Sequence, residues 1–255
     1  MLLLLLAFFL ISLSACNRPR SATSEITVAA AADLIPALEQ MGGEFERAHG
    51  TKVTFSFGST GLLSRQIENG APMDLFMSAS AEYINQLESK GLILTDTKAV
   101  YARGRITLWT PRDSRLRIEK VADLIRPEIK RIAIANPDHA PYGIAAREAL
   151  QNAGVWESVK SKLVYAENIR QTLQFAQTGN VEVAIVALSL SQGSDGHWVL
   201  IPEELHHPLD QVLAVIKGTK NEKGAREFAE FAQGQRGREI LRQYGFSFPD
   251  EKPSQ

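Results

Sequence analysis

Lys52 to Ala79 reads KVTFSFGSTGLLSRQIENGAPMDLFMSA, and its successive phases decide the fold class. KVTFSF alternates and carries β-branched and aromatic residues, the pattern of a strand. Gly58-Ser59-Thr60-Gly61 opens a helix that runs through Asn69 and is closed by Gly70. DLFMSA (Asp74 to Ala79) is a further short strand, and Ser80 caps a helix that stops at Gly91. Upstream, EITVAAAA (Glu25 to Ala32) is an apolar run of strand length. Asp33 follows it as an N-cap, ahead of helically spaced Leu34, Leu38, Met41 and Phe45.

The alternation continues downstream. Arg105 to Thr110 and Arg131 to Ala135 read as strands, and Pro141-Tyr142-Gly143 begins a helix ending at Gly154. Lys162 to Tyr165 is extended, and Asn168 starts a helix running to Gly179. Val181 to Leu188 and Gln211 to Lys217 are strands, and Asn221 to Tyr244 is helical. Strands alternating with helices specify an α/β chain with mostly parallel sheets. Ala102–Gly104 and Pro208–Asp210 fall at strand entries, where a few residues can absorb a hinge rotation. They divide the chain into one lobe of residues 25–103 with 210–255 and a second of residues 104–209.

The N-terminus speaks to compartment. MLLLLLAFFLISLSAC is apolar, too short for the ~20 helical residues that span a bilayer, and ends in small residues before one cysteine. It reads as a secretory signal, although no basic residue precedes the apolar run. Leu13-Ser14-Ala15-Cys16 resembles a bacterial lipobox, with Cys16 the lipid attachment point. The alternative is an ordinary signal peptide that contains a cysteine. Cys16 is the only cysteine, so no intramolecular disulfide explains it. Residues 17–24 then form a polar tether. With 28 Lys and Arg against 29 Asp and Glu, nothing in the charge favours nucleic acid.

Four strand-to-helix junctions share one property: Ala32-Asp33, Gly58 to Gly61, Pro141 to Gly143, and Asn168-Ile169. Each sets free backbone N–H groups and the positive end of a helix at the carboxyl edge of a sheet, where ligands of open α/β sheets bind. Converging helix N-termini hold an anion without a cationic side chain. Singly, each junction is an ordinary capped helix. Gly58 to Gly61 is more specific, since its glycines admit close approach and its two hydroxyls can donate. It lacks the lysine and spacing of a P-loop, and it is not a G-x-S-x-G elbow.

EITVAAAADL, GSTGLLSRQIENGAPMDLFMSA, NPDHAPYG and the late RQYGF together resemble the molybdate-binding proteins of ABC importers, from about Ile26 to Phe246. The resemblance implies a two-lobed periplasmic-binding-protein fold with the anion in the cleft between lobes. It implies molybdate or tungstate as ligand, neutral donors, no catalytic residue, no cofactor and no direct metal ligand. It also implies a monomer that hands its cargo to a permease and ATPase from the extracytoplasmic face, here held to a membrane by lipidated Cys16.

Carried over residue by residue, the resemblance makes Thr60 the hydroxyl donor, with Ser59 beside it. Tyr142 and Ile169 offer backbone N–H groups, and Asp33 matches a position with a hydroxyl or amide side chain. A carboxylate facing a dianion repels it, so the Asp33 side chain is expected to cap its own helix. Ala187 stands where some members place a tyrosine, and the Tyr142 phenol is expected to replace that donor. Arg65 is expected to hydrogen-bond the Gly58–Gly61 loop. His139 reads as a surface or supporting residue, and His206-His207 as an exposed loop. Rival readings are a phosphate or sulfate binder, an anchored hydrolase using Ser59 or Thr60, and a receptor module with the same binding chemistry.

Overall fold

The computed structural model describes residues 24–250; the leader, Cys16 and residues 17–23 of the tether lie outside the described residues. Two five-stranded sheets flanked by helices make up the molecule. The first sheet holds β1 (Glu25–Ala31), β2 (Lys52–Gly58), β3 (Leu75–Ser78), β4 (Ala99–Gly104) and, from late in the chain, β10 (Leu209–Val215), in the order β2-β1-β3-β10-β4. The second holds β5 (Ile106–Pro111), β6 (Ile132–Ala135), β7 (Leu163–Ala166), β8 (Val183–Ala187) and β9 (Gly196–Leu200), in the order β7-β6-β8-β5-β9.

Each sheet is mixed rather than mostly parallel. β1 with β2 and β3, and β6 with β7 and β8, pair parallel. β10 runs antiparallel to β3 and β4, and β5 runs antiparallel to β8 and β9. The antiparallel members are β5, which enters the second sheet, and β10, which returns to the first, and neither follows a crossover α-helix. Ala102–Gly104 and Leu209–Asp210 lie side by side in the β4–β10 pair, Gly104 opposite Leu209 and Arg103 opposite Asp210. Arg103 Nε also donates to Asp210 Oδ1 at 2.7 Å.

Helices α1 (Ile35–His49), α2 (Thr60–Glu68) and α3 (Ala81–Ser89) serve the first sheet. Helices α4 (Pro141–Asn152), α5 (Trp156–Val159), α6 (Ile169–Gln177) and α7 (Leu188–Gln192) follow the second. The C-terminal helix expected over Asn221–Tyr244 is two, α8 (Glu222–Gln233) and α9 (Gln235–Gln243). The break falls at Gly234, whose extended ψ of 174° interrupts the helical ladder. Both return to the first sheet, where fully buried Phe45 of α1 meets Phe228 edge-on at 5.1 Å between centroids. Burying such a ring contributes about 1.5–3 kcal/mol. That packing ties the chain's last segment to its first helix.

Candidate functional site

All four junctions form where expected, and three of them meet through hydrogen bonds. After β1 the chain makes a 3-10 turn, Ala32–Leu34, which sinks Asp33 to zero exposure. The Asp33 carboxyl does not cap its helix, contrary to expectation. It meets side chains from both sheets' elements instead: Oδ2 accepts from the Tyr142 hydroxyl of the second sheet's first helix at 2.9 Å and from Gln211 Nε2 of β10, in its own sheet, at 3.0 Å. The physical reason is that a buried carboxyl needs donors, and two side chains converge on this one. Ser189 Oγ of α7 donates to the Asp33 carbonyl at 2.7 Å.

Tyr142 enters this contact because two glycines make room. A Cβ on Gly143 would lie 2.1 Å from the Ala135 carbonyl oxygen, so only glycine lets the first turn of α4 sit against the end of β6. A Cβ on Gly104 would lie 2.0 Å from Tyr142 Oη. The Tyr142 phenol, expected to serve a ligand, therefore donates to Asp33. Ala187 is the buried residue that precedes α7.

The Gly58–Gly61 junction faces α4's approach. Ser59 Oγ donates to the His139 carbonyl at 2.8 Å and lies 2.7 Å from His139 Nδ1. The Gly61 N–H donates to the same carbonyl at 2.9 Å. With Nδ1 protonated, the ring donates to Ser59 Oγ while the hydroxyl serves the carbonyl. His139 is held below its usual range by burial and then by the Arg65 charge. Arg65 Nε donates to the Gly61 carbonyl at 3.3 Å, the loop contact its position predicts. Buried Thr60 Oγ1 accepts from the Ala79 N–H at 3.2 Å, which leaves its own proton for a further acceptor.

Ile169 is the first residue of α6, behind Asn168, whose side chain accepts from the Gln171 N–H at 3.0 Å. α6 packs against the Ala32–Leu34 turn, which sets the fourth junction beside the first. His207 lies away from this centre, bonded to Glu148 through Nδ1 at 3.0 Å. Among the described residues no group of three or more His, Cys, Asp and Glu side chains is placed to hold a metal ion.

The electrostatics turn on Asp33. Burial pushes its carboxyl up to about 7, against the lowering pull of the Tyr142, backbone and Gln211 hydrogen bonds. Burial and the neighbouring Asp33 charge push both Tyr142 and Tyr101 well above the usual phenol range. Asp33 Oδ1, Tyr101 Oη and Gln211 Oε1 are buried with no hydrogen-bond partner among the described residues. Sequence reasoning missed Gln211, Tyr101, Ser189 and the His139 contact. A glutamine opening the apolar strand QVLAVIK was the one available signal.

A profile of bacterial extracellular solute-binding proteins matches residues 26–247. The molybdate-binding protein ModA of Azotobacter vinelandii is 34% identical over 230 residues, covering 88% of this chain and 90% of that one. The molybdate-binding protein ModA of Rhodobacter capsulatus is 32% identical over 228 residues, covering 89% of each. The solved Azotobacter vinelandii periplasmic molybdate-binding protein superposes with a TM-score of 0.84 at 27% identity, covering 88% of this chain and all of that one.

Proposed function

Because the chain belongs to the bacterial extracellular solute-binding protein family, we propose that it captures molybdate, or its like-charged, like-shaped analogue tungstate, for an ABC importer. The observation that carries this reading is the convergence of neutral donors from both sheets. The junctions at Asp33, Ser59-Thr60, Tyr142 and Ile169 belong to elements hydrogen-bonded or packed together. Among the described residues no lysine or arginine side chain hydrogen-bonds the Asp33 carboxyl. A deprotonated tetrahedral dianion needs donors on every oxygen, and neutral donors avoid burying a cation. Each hydrogen bond to a charged ligand contributes about 1.5–3 kcal/mol, so six or seven support sub-micromolar affinity after association costs.

In this reading residues 25–103 with 210–255 form one lobe and 104–209 the other. The β4–β10 pair is the hinge between them, which the sheet membership of the strands supports. A permease and ATPase receive the cargo from a monomer, and lipidated Cys16 holds it at the outer face of the membrane. The leader and the Leu13–Cys16 pattern support the anchor.

A phosphate-type ligand is the second reading, favoured by the unpartnered Asp33 Oδ1, which offers an acceptor to a protonated oxyanion. The hydrolase reading gains a histidine beside Ser59, but the Ser59 hydroxyl and the Gly61 N–H both serve the His139 carbonyl. Calorimetry of the protein with molybdate, tungstate, sulfate and phosphate tests the proposal. Molybdate and tungstate binding well ahead of the others supports it, and a preference for phosphate overturns it.

A further inference from the structure

We propose that Asp33 couples oxyanion capture to proton uptake: as a deprotonated dianion binds, the carboxylate takes one proton onto Oδ1 and presents the new O–H to a ligand oxygen. The inference rests on the proposed function. It adds a coupled proton and a donor that no other residue at the first junction supplies.

The geometry assigns the proton to one atom. Oδ2 already receives two hydrogen bonds, from Tyr142 and Gln211, so it is the acceptor end of the group. Oδ1 is fully buried without a partner, and it sits on the turn whose neighbouring helices supply the other junctions. A bare carboxylate there is unstable in two respects. It leaves a buried acceptor unsatisfied, and it repels a dianion at short range in a poorly screened interior. Protonation removes both faults at once, because a protonated carboxyl gains one O–H donor. The step balances simply: one O–H bond forms on Oδ1, the proton comes from solvent buffer, and nothing is oxidised or reduced.

No facing group competes for this role. The titratable groups that face Asp33 are the phenols Tyr142 of α4 and Tyr101 of β4, both held neutral by burial and by Asp33 itself. α7 brings Ser189, which has no charge, and β10 brings Gln211. On α1, Glu44 and Glu46 are bonded to Arg236 and the Val53 N–H, while Glu39, Arg47 and His49 are exposed. α6 carries exposed Arg170, and Arg103 and Asp210 pair with each other across β4 and β10. On α4, Glu148 pairs with His207 and Arg147 lies five residues beyond Tyr142. Burial, outweighing the hydrogen bonds that pull the other way, lifts the Asp33 carboxyl to about 7, which puts the exchange within the ordinary pH range.

The test is calorimetry of the full chain with sodium molybdate, repeated in buffers of different ionisation enthalpy from about pH 6 to pH 9. Linkage predicts a proton count near zero at about pH 6 that climbs toward one by about pH 8, with Kd rising about tenfold per pH unit above that. Asp33→Asn, whose amide keeps a donor at the same place, should bind with a pH-independent Kd and take up no proton. Tight wild-type binding with no proton taken up at pH 8 overturns the inference and leaves the proposed function intact. No molybdate binding at any pH overturns both. The wild-type proton count decides the matter even if the variant fails to fold.

Discussion

Gly104→Ala should break the contact between the two halves of the molecule by displacing a single hydroxyl. The new Cβ would sit 2.0 Å from Tyr142 Oη, 3.0 Å from its Cζ and 3.3 Å from Gln211 Nε2. Gly104 has no positive φ, so the backbone itself accepts alanine and the whole penalty comes from the collision. Forcing a methyl into a filled site costs about 1–3 kcal/mol. Swinging the phenol aside also removes the Tyr142–Asp33 hydrogen bond, worth about 1.5–3 kcal/mol when the acceptor is charged. The expected loss is therefore about 2.5–6 kcal/mol by urea denaturation near pH 8, followed by tryptophan fluorescence. Tyr142→Phe removes the atom that collides and the bond that is lost. In that background the alanine should cost far less, with a coupling of about 1–3 kcal/mol. Strictly additive losses would refute the assigned geometry.

The buried carboxyl predicts a pH dependence of stability. A folded-state value raised from 3.8 to about 7 favours folding fully at about pH 4 and progressively less as pH rises through 7. At about 1.4 kcal/mol for each tenfold change in ionisation, the loss is of the order of 4 kcal/mol. Asp33→Asn should flatten that profile in ligand-free thermal melts, and an unchanged profile would place the titration elsewhere. Thr60→Ala should weaken molybdate binding by about 1.5–3 kcal/mol in calorimetry and lower stability by about 1 kcal/mol, since Thr60 Oγ1 also accepts the Ala79 N–H. Gly143→Ala should destabilise the fold itself, because its Cβ meets the Ala135 backbone rather than a movable side chain; circular dichroism melts show whether it does.

Much of this architecture is legible in periodicity. Eight of the strands follow from apolar or alternating runs, and helix starts follow Gly58, Pro141 and Asn168 because glycine, proline and capping residues act locally. β4 and β9 escape such reading. AVYARG and GHWVL carry exposed or charged residues because each lies at the edge of its sheet. The site divides along the same line. Junctions are local and readable, whereas Asp33 meeting Tyr142 across 109 positions and Ser59 meeting His139 across 80 are products of tertiary closure. The sequence points the Asp33 side chain at its own helix because a carboxylate facing a dianion repels it and a local cap is the other use open to it. Tertiary donors outweigh that preference once the turn is buried.

In the proposed function a tetrahedral oxyanion is held among the four junctions by neutral donors. Anomalous diffraction at the molybdenum edge from crystals grown with molybdate tests it directly. One strong peak is expected, enclosed by Asp33, Ser59, Thr60, Tyr142 and Ile169, with hydrogen bonds to all four oxygens and no lysine or arginine in contact. A peak elsewhere, such as beside His207, or one paired with a cationic side chain, would contradict it.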